Sequence, residues 1–127
     1  MELMKLEIVT PLGVIFDDEI KQVTIPGKEG EFGVLAGHAA LVSLLDAGIM
    51  VIETANGDIL DVAVDGGYVK VEEEKTLCVV DGAVALNAKD SDIATAIAEA
   101  KELLSKAGES SMAMASAMSK LDNIKKR

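Results

Sequence analysis

The chain has 127 residues, 50% of them apolar, and a formal net charge of −10. That length supports one domain, or one small domain with a helical appendage. The apolar content excludes disorder, because enough surface can be buried to offset the entropy of ordering; the acidic balance argues against general nucleic-acid binding through phosphates. Taken in chain order, Leu6 and Ile8 alternate with Lys5 and Glu7, and Lys21-Gln22-Val23-Thr24-Ile25 leads to a turn at Pro26-Gly27. Ala39–Leu45 is ambiguous between a strand and a single helical turn. Asn56-Gly57, lying between Ile49–Ala55 and Asp58–Val64, is a strong short hairpin signal, since both residues tolerate positive φ. Gly66-Gly67 separates that strand from Tyr68–Glu72, Glu73-Glu74 turns into Lys75–Val80, and Asp81-Gly82 marks another turn. Strands joined so tightly must be antiparallel. Roughly eight to ten of them at such spacing predict a small β-sandwich. With aromatic residues at only 2%, its core must be built from Val, Ile, Leu, Ala and Met.

Near Asn87–Asp92 the composition changes. Ten of the eleven glycines precede residue 91, and alanine crowds Ala94–Ala117. Residues 1–90 carry 6 Lys against 17 Asp/Glu, whereas residues 91–127 carry 6 Lys/Arg against 5 Asp/Glu. Asp90 or Ser91 suits a helix N-cap, with acids in the first turn favoured by the dipole. Ile93, Ile97, Ala100 and Leu104 form an apolar stripe, widened by Ala96 and Leu103. Gly108 suits the C′ position, and Ser110 or Ser111 a second N-cap, before a helix presenting Met114, Ala117 or Met118, Leu121 and Ile124. The expected architecture is therefore α+β: an N-terminal antiparallel β-sandwich over 1–88, then a C-terminal two-helix antiparallel hairpin over 89–127. Such a hairpin buries little area, so its docking is expected to be marginal.

Chemistry is sparse. The single Cys78 cannot form an internal disulfide, which fits a reducing cytoplasm, and its place among Val79 and Val80 reads as a buried inert thiol. His38 follows Gly37 in a turn, a position for structure or an interface rather than for a general base. Gly27–Gly33 is glycine-rich, but its acids repel phosphate and it lacks the Walker spacing. Asp17-Asp18-Glu19 and Glu72-Glu73-Glu74 read as solvated turn charges rather than calcium ligands, and Met112, Met114 and Met118 as adaptable packing. No cationic start and apolar run suggest export. The apolar stretch Val34–Ile52 is broken by His38 and Asp46, short of the ~18 residues of a membrane span. No catalytic, metal or cofactor constellation emerges, which favours a structural or regulatory protein over an enzyme.

Gly30-Glu31-Phe32-Gly33-Val34-Leu35-Ala36-Gly37-His38-Ala39-Ala40-Leu41-Val42 closely resembles the signature of the epsilon-subunit family of F-type ATP synthases. The resemblance continues through Gly66-Gly67-Tyr68-Val69-Lys70-Val71 and into the helical tail, covering essentially the whole chain. The family usually has proline on either side of its Gly-His pair, where this chain has Ala36 and Ala39-Ala40; that loosens the turn slightly. The resemblance implies a β-sandwich followed by two antiparallel helices, with no catalytic residues and no cofactor. It further implies a central-stalk rotor subunit that grips gamma and rests on the c-ring, coupling proton flow to ATP synthesis. Such a subunit lies peripherally at the cytoplasmic face of the bacterial inner membrane, without inserting into it.

The turn carrying Glu29, Glu31 and His38 would then face the polar c-ring loops, whose basic side chains in this family suit the two acids. In bacterial relatives the helices extend along gamma into the catalytic head and block hydrolysis. Here Lys120, Lys125, Lys126 and Arg127 are the cations that would meet acidic segments of the catalytic alpha and beta subunits. The same four cations also complement the C-terminal dipole of a solvated helix. Some relatives bind ATP through an Ile/Leu-Asp-x-x-Arg-Ala motif. Asp92 and Ala96 fit it, but Thr95 stands where the arginine would supply a charged donor, and Ser91 replaces the apolar residue. A reading of a different class is a free-standing β-sandwich module that binds a ligand or peptide, with a helical oligomerisation tail.

Overall fold

The computed structural model describes residues 2–87, 92–107 and 120. Seven strands lie in the order β1-β6-β5-β4-β2-β3, with β7 beside β5. They are β1 (Met4–Thr10), β2 (Gly13–Gly27), β3 (Gly30–Leu35), β4 (Leu41–Thr54), β5 (Ile59–Val71), β6 (Lys75–Val80) and β7 (Ala83–Leu86), followed by α1 (Ile93–Ala107). β1 pairs with β2 antiparallel and with β6 parallel, so the hydrogen-bonded path closes on itself and leaves β3 and β7 outside the ring. All other pairings are antiparallel. The expected sandwich is present, with fewer and longer strands than the turn signals suggested.

Those long strands explain the difference. In β2 the core-facing residues run Ile20, then Val23 and Ile25; in β5 they run Val62 and Val64, then Val69 and Val71. Each strand changes parity once, where it bends from one layer to the other, so a strict period of two is reset within a single strand. Gly66-Gly67 is therefore a bend inside β5 rather than its end. At Gly67, with φ of +142°, a Cβ would lie 2.0 Å from the carbonyl oxygen of Val79, so only glycine lets the strands approach there. The β4–β5 connection is also tighter in meaning than Asn56-Gly57 suggested. Gly57 N donates to Thr54 O at 2.9 Å and Thr54 N donates to Asp58 O at 2.9 Å, and of the pair only Gly57 has positive φ. That is a three-residue loop, a turn closed by one left-handed glycine. The ambiguous stretch before Leu45 resolves as strand from Leu41 onward.

Inside the ring, Leu6, Ile8, Ile25, Met50, Ile52 and Val71 are buried with Cys78 in one core. A second, smaller core lies outside the sheet. There Ile97, Ala100 and Leu104 of α1 cover Ala47, Ile49, Ala63 and Leu86, as the apolar stripe predicted. Leu103 closes over Gly82, whose N–H donates to Asp65 Oδ1 at 2.6 Å, tying the β6–β7 turn to the β5 bend. At the start of α1, Ala96 N donates to Asp92 O at 3.1 Å and the first turn carries no acid; Asp90 and Ser91, the expected caps, lie outside the described residues. The junction expected at 88–89 lies outside the described residues, as do residues 108–119 and 121–127, where a second helix is expected. No helix among the described residues is long and apolar enough to cross a membrane.

Candidate partner-docking surface

Two exposed surfaces stand out, one apolar and one acidic. The apolar one follows from cross-strand register, because residues directly opposite one another share a face. Val42 is opposite Lys70 and Leu44 opposite Tyr68; Tyr68 is in turn opposite Val79, which faces Val9 of β1, itself opposite Val14. The result is a stripe crossing four neighbouring strands and reaching β2. Its outermost members are far from buried: Val42 is 69% exposed, Leu44 61%, Val14 58% and Tyr68 45%. At the tip of the adjoining β1–β2 hairpin, Leu12 is 100% exposed, and its N–H donates to Thr10 Oγ1 at 3.1 Å. Ion pairs rim the stripe: Lys70 with Glu72 at 3.2 Å and Lys75 with Glu7 at 3.3 Å. An apolar centre with a charged rim is the composition of a protein interface.

The acidic surface is the β3 edge. β3 pairs only with β2, leaving its other side without a strand partner among the described residues. Glu29 sits in the β2–β3 turn, where Gly27 and Gly30 pair at the base, and Glu31 opens the strand. Glu29, Glu31, Gly33 and Leu35 are exposed, whereas Val34 is buried beneath them. His38 lies past the far end of β3. Its N–H donates to Leu35 O at 3.1 Å, while Nδ1 lies 2.7 Å from Ala39 O, a bond that requires the proton on Nδ1. Glu29, Glu31 and His38 thus do not share one turn. About 13 Å of extended edge strand runs from Glu31 to Leu35, and the Ala36-Gly37 turn then precedes His38. Glu31 also forms an ion pair with Lys120. The other expected tail cations, Lys125, Lys126 and Arg127, lie outside the described residues.

Among the described residues no catalytic constellation is assembled. Burial raises the Cys78 thiol from its ordinary 9.0 to about 12, which keeps it protonated and unreactive. Among the described residues no group of three or more His, Cys, Asp or Glu is placed to hold a metal ion. A cavity of about 500 Å³ opens between the N-terminus and the β5–β6 turn, lined by Glu2, Leu3, Lys5, Glu19, Ala36, Gly37, Glu73 and Glu74. Four carboxylates against one lysine would repel a nucleotide phosphate, and that lysine is already committed to Asp17 at 2.8 Å. Asp92, the residue offered for nucleotide binding, serves the α1 N-terminus through its carbonyl. Sequence reading missed the apolar stripe; its only signal was the run Leu41-Val42-Ser43-Leu44-Leu45, too apolar to alternate cleanly.

Comparison with known proteins follows the same lines. The family described as ATP synthase, Delta/Epsilon chain, beta-sandwich domain matches residues 3–86. An ATP synthase epsilon chain from Sulfurovum sp. (strain NBC37-1) is 68% identical over 126 residues, covering 99% of this chain and 98% of that one. The epsilon chain of Aliarcobacter butzleri (strain RM4018) is 48% identical over 125 residues, covering 98% and 99%. Among solved structures, a chain of the Euglena gracilis mitochondrial ATP synthase OSCP/F1/c-ring assembly aligns with a TM-score of 0.64 at 23% identity, over 91% of this chain and 73% of that one. A chain of the Tetrahymena thermophila mitochondrial ATP synthase central stalk/c-ring aligns with a TM-score of 0.53 at 19% identity, over 84% and 96%. Both structural likenesses concern the fold.

Proposed function

The chain belongs to the epsilon-chain family of ATP synthase, a non-catalytic subunit of that complex, and from that premise we propose which surface meets which partner. The apolar stripe is the seat of gamma. A rigid face carrying Val42, Leu44, Tyr68 and Val14 in solvent is the single observation that carries this reading: burying it against a partner removes apolar area from water at about 25 cal/mol per Å². The β3 edge rests on the polar loops of the c-ring, where Glu29 and Glu31 carry the sign that suits basic loops. Held at both surfaces, the sandwich turns with the central stalk and transmits rotation between proton flow and ATP synthesis. It does so peripherally, at the cytoplasmic face of the bacterial inner membrane.

The segment after α1 has a second role in this proposal. Its cations, Lys120, Lys125, Lys126 and Arg127, reach acidic segments of the alpha and beta subunits and restrain ATP hydrolysis, more weakly as salt rises. The test is steady-state hydrolysis by the catalytic head containing gamma, with no addition, with the full chain, and with a chain ending at Ala107. The shorter chain keeps α1 on its core. Binding by both with inhibition only by the full chain is the expected result; equal inhibition by both would remove the tail from the mechanism. Replacing Val42 and Leu44 together by Asp should weaken gamma binding by about 100-fold or more, since desolvating two carboxylates in an apolar seat is costly. Undiminished binding would move gamma elsewhere.

A further inference from the structure

The Lys120–Glu31 ion pair joins residues 89 apart in sequence, linking the segment beyond α1 to the β3 edge. The two side chains are unequally sequestered: Lys120 keeps 26% exposure and Glu31 keeps 45%. Glu31 therefore holds an intrachain cation while still presenting its carboxylate to solvent. The charge distribution favours that parking, because residues 1–90 carry 17 acids against 6 lysines while the remaining segment is close to balance. A basic group arriving at Glu31 from outside would meet a lysine already there, and two cations on one exposed carboxylate repel each other.

We propose that Glu31 is a shared acid: in the free subunit it holds Lys120 of the chain's own C-terminal segment, and a basic loop of the c-ring displaces that lysine on docking. The inference rests on the reading that the β3 edge meets the c-ring. Docking at the edge and parking of the C-terminal segment then oppose each other, and the coupling is reciprocal. Exposed ion pairs are weak individually, so the expected effect is about two- to fivefold in either equilibrium, shrinking as salt rises.

Zero-length carbodiimide cross-linking of the full chain, read by mass spectrometry, tests this. The Lys5–Asp17 pair, 2.8 Å apart, serves as the internal standard. The free chain should yield a 31–120 product that disappears in Glu31→Gln and in Lys120→Gln and returns in the charge-swapped E31K/K120E double variant. Once the chain is assembled with the c-ring, that product should fall at least twofold relative to the 5–17 standard. A free chain that yields the 5–17 product but no 31–120 product overturns the shared acid. An undiminished 31–120 yield in the assembled complex overturns the displacement while leaving the docking reading intact. Should Glu31→Gln instead dock on the ring as tightly as the wild type, the docking reading fails and the proposal falls with it, on different grounds.

Discussion

Along β4 and β5 the outer face is apolar at both ends, yet the two ends meet different surroundings. Over one half, Ala47, Ile49 and Ala63 lie beneath α1 with Leu86, contacted by Ile97, Ala100 and Leu104. Over the other half, Val42, Leu44 and Tyr68 stand in solvent. The covered half is built partly from alanine on both sides, which lets helix and sheet approach closely. The open half carries larger side chains that project. Both halves ride on the same continuous strands, above a fully buried layer. A partner meeting a preorganised surface loses little further conformational entropy on binding. One half completes the fold, and the other is the face we propose for gamma.

The bend between the halves is where the comparison breaks most completely. Gly67→Ala would press a methyl group onto the Val79 carbonyl, 2.0 Å from where its Cβ must sit, at a backbone φ of +142°. Backbone strain and a clash with another strand's main chain together should cost about 4 kcal/mol or more. Urea denaturation of the free chain would measure it. Gly33→Ala is the control: it lies on the β3 edge with nothing within 4 Å of its Cβ position, and should change stability by less than about 1 kcal/mol.

Next in size is the cover itself. Leu104 is 0% exposed in the second core, and Leu104→Ala should cost about 2–3 kcal/mol, at the lower end for buried leucines because α1 can partly resettle. The loss should be local. Native-state hydrogen exchange is expected to deprotect the amides of α1 while those of β6 keep their protection, because β6 belongs to the other core. Equal loss in both would mean that the two cores unfold as one unit.

These same elements mark what the residues announced and what they concealed. Leu6 and Ile8 face the core as their alternation implied, and Ile97, Ala100 and Leu104 dock as their spacing implied. Strand lengths were hidden because each long strand resets its parity at a bend, so Ile20 and Val23, or Val64 and Val69, do not look like one strand. Closure was hidden too. The parallel β1–β6 pair joins residues far apart in sequence, such as Leu6 and Thr76, and no turn signal records it. The docking stripe was least legible, since Leu44 and Leu45 are adjacent and chemically identical, yet one is 61% exposed and the other 4%. Only the register with β5 tells them apart.

Alkaline pH probes the layer beneath the open half. Cys78 lies on the inner side of β6, between the outward-facing Leu77 and Val79, and burial raises its thiol to about 12. Below the ordinary value of 9.0 both folded and unfolded chains hold this proton, and it contributes no pH dependence. Above that value the unfolded chain loses its proton first. Stability should therefore fall between pH 9 and 12, by about 1.4 kcal/mol for each pH unit well inside that window. Cys78→Ala should make the fall shallower in urea titrations at pH 9–11. Some slope of the same sign will remain, because Asp17 holds the Lys5 ammonium above its usual range. An unchanged slope would mean that water reaches the thiol and that the layer under the open half is not closed.

The smallest expected effect sharpens the contrast most. Leu44→Ser removes an apolar side chain that is 61% exposed in the free chain, so the stability change should stay within about 0.5 kcal/mol. If Leu44 belonged to the fold, its replacement would behave like that of Leu104 and register in denaturation of the free chain. If it belongs to the interface, denaturation of the free chain will barely register it, and its cost will appear only as weaker binding to gamma. Measuring Leu44→Ser and Leu104→Ala side by side, free and with gamma, therefore separates the two halves. The open half should have its effect in the complex, and the covered half in the chain alone. A sizeable loss of stability from Leu44→Ser in the free chain would show that this side chain is held by its own fold rather than left for a partner.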